Sequence, residues 1–138
     1  MDKVKVTIDL KNGYGFLTRD GSNSKLVEVE FICDDNQIVL TDLTAKHRKV
    51  GYGTMIMYTM MGIAKAEKKP IVLFSLMEVV PFYEKLGFMH LSKFKKGTYK
   101  GKAVRILNLN PETSFNRQIG LEDFIWVPPN LDKVEVWL

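Results

Sequence analysis

The run from Thr41 to Thr54, TDLTAKHRKVGYGT, concentrates groups able to hold an anion. An apolar strand over residues 37–44 leads into a basic turn, then Gly51, Tyr52 and Gly53, then a long apolar segment with helical spacing. The first-turn N–H groups of a helix have no partner inside the helix, and the helix dipole adds about half a positive charge there. Glycines let the backbone approach a phosphate where a Cβ would stand in the way. Arg48 and Lys49 bring full positive charges to the same place. The chemistry written into this turn is the binding of a phosphate or pyrophosphate.

Little else in the composition competes with it. His47 and His90 are far apart and without ligand-like spacing, so no metal site is expected. Cys33 is the only cysteine, which excludes an intramolecular disulfide. Twenty basic against sixteen acidic residues give a net charge of +4, which suits an anionic ligand as well as nucleic acid. The lysine clusters at 46–49, 68–69 and 93–102 read first as solvated faces and loops. Nucleic-acid binding is disfavoured because no recognisable motif accompanies them. The N-terminus lacks a signal-peptide core and no apolar run is long enough to span a membrane, so the expectation is a cytoplasmic protein.

The elements that must position the anion turn follow from periodicity. Residues 3–10 alternate, with Val4, Val6, Ile8 and Leu10 on one face. Asn12-Gly13 predicts a two-residue hairpin turn with positive φ at both positions, returning as a strand over 14–19. Residues 25–32 alternate again, and 37–44 form the strand entering the turn. Residues 52–69 have helical spacing, with a methionine-rich face turned to the core. Pro70 ends that helix, and the continuous apolar run 71–76 reads as a strand buried on both faces. A short helix over 78–86 follows, then strands at 88–91 and 102–109 joined by a basic loop. From Pro111 the character changes. The aromatic and aliphatic residues there are too many for a disordered tail, so it should pack on the domain or on a partner chain. We therefore divide the chain into a domain over 1–110 and an extension over 111–138. The uncovered alternating first strand offers an edge for a homodimer, although its lysines oppose open pairing.

Two motifs in this framework resemble the GNAT superfamily of N-acetyltransferases. Arg48-Lys49-Val50-Gly51-Tyr52-Gly53 is similar to the family's acyl-CoA loop, Arg/Gln-x-x-Gly-x-Gly/Ala, between a central strand and the main helix. Pro81-Phe82-Tyr83-Glu84-Lys85-Leu86-Gly87-Phe88 is similar to its later aromatic-Tyr and Gly-Phe motif. The resemblance spans about 39–109 and implies an α/β fold with a mixed, mostly antiparallel central sheet and helices packed on it. It also implies acetyl-CoA as co-substrate, its pyrophosphate on the N–H groups from Lys49 to Thr54. The pantetheine arm would lie between strands 39–44 and 71–76, paired near Leu43 and Thr44. Acetyl transfer to a primary amine would go by direct attack, with Tyr83 protonating the departing thiolate. Asp42 is the first candidate for the general base, ahead of Glu28, Glu30 and Glu78.

The chain departs from the family pattern twice. One or two helices usually separate the first two strands, and here only a tight turn does. The acceptor site should therefore be open, which fits a protein or peptide amine better than a small molecule. An asparagine often found before the second motif is replaced by the region of Leu76 and Met77. Both departures leave a non-catalytic acyl-CoA-binding or protein-interaction module as the alternative reading.

Overall fold

Alternation in the first forty-five residues produces four consecutive antiparallel strands, because one face of each is apolar and must be buried. In the computed structural model, which describes residues 3–46, 51–90, 97–99, 102–109 and 129–138, these are β1 (Val4–Asp9), β2 (Tyr14–Arg19), β3 (Lys25–Cys33) and β4 (Ile38–Ala45). Helix α1 (Tyr52–Glu67) crosses to β5 (Ile71–Leu76), a 3₁₀ turn (Met77–Val79) runs into α2 (Val80–Lys85), and β6 (Met89–His90), β7 (Gly97–Tyr99), β8 (Lys102–Leu109) and β9 (Lys133–Trp137) complete the described elements. They form one sheet in the order β6-β8-β5-β4-β3-β2-β1-β9, with β7 pairing β8 outside that path. Only β4 and β5 pair in parallel; every other pairing is antiparallel. This is the α/β, mixed and mostly antiparallel sheet expected.

The sheet buries one face. Val4, Val6, Ile8, Leu17, Val27, Val29, Ile38 and Leu40 belong to the core on which α1 lies, across β1 to β4, and Ile71 and Leu73 of β5 continue the same core. On the opposite face, among the described residues, Ile32 is 60% and Phe74 50% exposed, while Thr7 and Thr18 are buried. A tight turn between β1 and β2 supplies no helix to cover it.

Several local expectations are corrected. The β1–β2 connection is wider than a two-residue turn. The last pair is Asp9 with Tyr14, and only Gly13 (φ 69) is left-handed. Asp9 reshapes the loop by accepting from the N–H and side-chain amide of Asn12 at 3.0 and 2.8 Å. Gly13 is required for a second reason, since a Cβ there would overlap the carbonyl of Phe31. Helix α1 is not one-faced: Ile56, Met57 and every residue from Thr59 to Ala64 are buried. The basic loop before β8 contains a strand, β7, in register Tyr99 to Lys102 and Gly97 to Val104.

The end of the extension adds β9 to the outside of β1, in register Lys5 to Trp137 and Asp9 to Lys133. Strand β1 is thus paired on both sides and is not the free dimer edge anticipated; β9 takes the outer position. The Asn130 N–H reaches a Glu67 carboxylate oxygen at 3.3 Å, tying the approach to β9 to the end of α1. Residues 111–128 lie outside the described residues.

Candidate active site

The site is built where two parallel strands part. Strands β4 and β5 pair only from Ile38–Ile71 to Leu40–Leu73. Past Leu40 the register of β4 against β3 shifts: Phe31 faces Leu40 and Glu30 faces Asp42, leaving Thr41 unmatched. A bulge bends the strand that carries it. Strand β4 continues with β3 through Leu43, Thr44 and Ala45, while β5 continues with β8 to Leu76. The facing edges of β4 and β5 thus separate, and their backbone groups there have no strand partner among the described residues. Such edges accept an extended ligand carrying amides.

The N-terminus of α1 stands beyond the end of β4. Gly51 caps it with φ 83 and ψ 0, no side chain caps it, and no acidic residue occupies the first turn. A left-handed residue is required here, which explains Gly51. A Cβ on Gly51 would meet nothing within 4 Å among the described residues. Gly53 faces the Phe82 ring, 3.6 Å from where its Cβ would be. The N–H groups of Tyr52, Gly53 and Thr54 precede the first i→i−4 bond, made by Met55 to the Gly51 carbonyl at 3.1 Å. Arg48, Lys49 and Val50 lie outside the described residues, as does His47.

The two residues assigned to chemistry lie on different elements, Asp42 on β4 and Tyr83 on α2. Tyr83, on α2, is 7% exposed. Its ring meets Phe82 and Phe88 edge-on, at 5.0 and 5.6 Å between centroids. Burial, and then the negative charge of Asp42, push its phenol up to about 12. Tyr83 is therefore a protonated donor throughout the physiological range. Asp42 is exposed on β4 and accepts from the Thr44 hydroxyl at 3.1 Å. The rival carboxylates stand differently. Glu28 accepts from the Tyr14 hydroxyl at 2.6 Å, Glu30 pairs across β3–β4 with Asp42, and Glu78 is exposed in the 3₁₀ turn.

Arg19 escaped the sequence reading. Its guanidinium donates to the Tyr52 hydroxyl at 3.2 and 3.3 Å, and lies 6.0 Å from the ring centre. Tyr52 thus engages the end of β2 with its side chain. No local signal links residues 33 apart in sequence. Among the described residues no group of three His, Cys, Asp or Glu side chains is placed to hold a metal ion.

No family model matches the sequence, and no curated protein matches it. Solved structures do. Ard1 from Thermoplasma volcanium superposes with a TM-score of 0.62 at 13% identity, over 74% of this chain and 72% of that one. The chain has the GNAT fold. Arabidopsis thaliana Naa50, in complex with the bisubstrate analogue CoA-Ac-MVNAL, gives 0.56 at 11% identity over 72% and 73%. The ribosomal-protein-S18-alanine N-acetyltransferase of Escherichia coli gives 0.55 at 17% over 70% and 67%. The parted strands, the helix N-terminus and the tyrosine on α2 are the parts of this GNAT fold on which a function can be argued.

Proposed function

We propose that the chain is an acetyl-CoA-dependent N-acetyltransferase acting on a primary amine, preferably one presented by a protein or peptide. The observation that carries this reading is the parting of β4 and β5 past Leu40 and Leu73, together with a helix α1 whose N-terminus has no side-chain cap. The groups present suit the cofactor. Unpaired strand edges at Leu43 and Thr44 match amide-bearing pantetheine, and the space at Gly51, free of described neighbours, suits a pyrophosphate on the N–H groups from Lys49 to Thr54. Arg48, Lys49 and Val50 belong to this loop by sequence. Residues 1–110 form the transferase domain in this reading, and 111–138 an extension that contributes β9.

Acetyl-CoA supplies an activated acyl group that a neutral amine attacks directly, without a covalent enzyme intermediate. Asp42 accepts the proton lost by the amine, directly or through one water. Tyr83 gives its phenolic proton to the departing sulfur. The two transfers reinforce each other: once Asp42 is protonated, the negative charge that holds the proton on Tyr83 is gone. The exposed part of the opposite sheet face gives a polypeptide access to the gap. Two similar structures support that acceptor class, one bound to a peptide-bearing analogue and one named for a ribosomal protein. The proposed compartment is the cytoplasm, where acetyl-CoA and such acceptors meet.

The test is CoA release with a panel of peptide and small amines, in wild type and Tyr83→Phe. The variant should bind acetyl-CoA normally and lose about 10²-fold or more in kcat, the usual scale of a general acid. Unchanged kcat at every pH removes Tyr83 from the mechanism; no CoA release with any amine removes the activity.

A further inference from the structure

A second feature of the sheet lies outside the gap. A cavity of about 460 Å³ opens between the β2–β3 turn, from Gly21 to Asn23, and the end of β9. Lys5, Arg19 and Lys25 line it together with the aromatic rings of Phe16 and Trp137, and none of the described lining residues is acidic. The Lys25 ammonium is held 4.8 and 4.9 Å above the Phe16 and Tyr14 rings, and that of Lys5 5.4 Å above Trp137. The Glu135 carboxylate lies 4.0 Å from the Lys5 ammonium and engages Lys133 at 3.1 Å. Trp137 is 53% exposed, leaving indole surface uncovered. A cavity with three cations and accessible rings matches a ligand joining a phosphate to a planar base.

Its position decides which ligand. Hydrogen bonds of Lys46 and Tyr52 fasten the cavity rim to both flanks of the anion loop. Lys46, the last described residue before that loop, pairs through its N–H with Leu26 at 2.9 Å and donates from Nζ to Ser24 at 3.1 Å. Tyr52, the first helical residue after it, receives Arg19. The described residues on either side of the proposed pyrophosphate loop, Lys46 and Tyr52, therefore both touch the walls of the cavity or the strand starts next to them. We propose that this cavity receives the adenosine 3′-phosphate end of acetyl-CoA, with Lys5 and Lys25 binding the 3′-phosphate and Trp137 stacking on the adenine. The inference rests on the acetyl-CoA reading above and adds a site for the cofactor's distal end.

Calorimetric titration with CoA and with 3′-dephospho-CoA tests it, alongside adenosine 3′,5′-bisphosphate read by Trp137 fluorescence in a Trp126→Phe background. Wild type should prefer CoA by about tenfold, the scale of one charge-assisted contact. That preference should fall towards one in Lys25→Met and in the Lys5→Met, Lys25→Met pair, and return in Lys25→Arg. Methionine keeps most of the apolar stem of Lys25, and an unchanged urea midpoint shows that each variant is folded. The bisphosphate should quench Trp137. Equal affinities, or a preference the variants leave unchanged, would overturn the cavity assignment while leaving CoA binding and the transferase reading intact. Quenching by the bisphosphate without any CoA binding would overturn the transferase reading and, with it, the assignment of the cavity to the cofactor. Absence of all three bindings would overturn both.

Discussion

At the scale of single residues, Tyr83 and Asp42 show how far side-chain identity leads and where folding must take over. The resemblance assigned Tyr83 a role, and position on a strand assigned one to Asp42. Nothing in the sequence relates the two, because they lie on separate elements, β4 and α2, 41 residues apart, and the charge of one acts on the other only in the fold. The same coupling predicts a pH dependence. The folded pKa of Tyr83 is raised from 10.0 to about 12. A raised value means that its stability contribution is complete below the unfolded pKa and is lost as pH rises through the folded one. Urea unfolding should show a loss of roughly 2–3 kcal/mol between pH 9 and pH 12, part of which disappears in Tyr83→Phe. Tyr14 shifts in the same direction through burial and its bond to Glu28, so the variant isolates the share due to Tyr83. An identical alkaline loss in wild type and Tyr83→Phe would show that the phenol is not held protonated. Asp42→Asn should lower the Tyr83 titration, followed by absorbance of the phenolate, since one of the two causes raising it is removed.

At the scale of elements, the strands were legible because one buried face imposes alternation, as in Val4, Val6 and Ile8. The bulge at Thr41 was not, because a single inserted residue looks like ordinary polarity until the partner strand is seen. Nor was the burial of α1 on nearly all sides, since periodicity reports only a preferred face. The glycine turn was legible in part. Its Gly51 is required for a left-handed backbone, whereas Gly53 faces Phe82 at ordinary contact distance. Gly51→Ala should therefore cost about 1 kcal/mol from backbone strain alone. Its Cβ meets no described residue, so the fold should survive, with acetyl-CoA affinity reduced because that Cβ stands before the helix N-terminus. Calorimetric titration and urea midpoints measure the two effects separately. A variant equal to wild type in both would remove the turn from cofactor binding and Gly51 from the backbone argument.

For the whole molecule, the decisive arrangement is that β9 closes one side of the sheet while α1 covers only one face. The sequence reading expected the extension to pack on the domain or on a partner, and could not choose because no local pattern fixes strand order. The choice follows from complementary alternation: Val134 is buried opposite Ile8, while Lys5 and Glu135 stand on the open face. Deleting residues 133–138 should cost about 2 kcal/mol or more, from the lost burial of Val134 and Val136. It should also expose β1 as an edge whose apolar residues promote association. The expected result is a lower urea midpoint and a larger species by light scattering at high protein concentration. Trp137→Ala alone should leave the midpoint nearly unchanged, because Trp137 is half exposed and its strand pairing is through the backbone. If the deletion left both midpoint and oligomeric state unchanged, β9 would be an attachment to the sheet and not a part of its stability. The pair of variants separates the structural work of β9 from the ligand contact proposed for its indole.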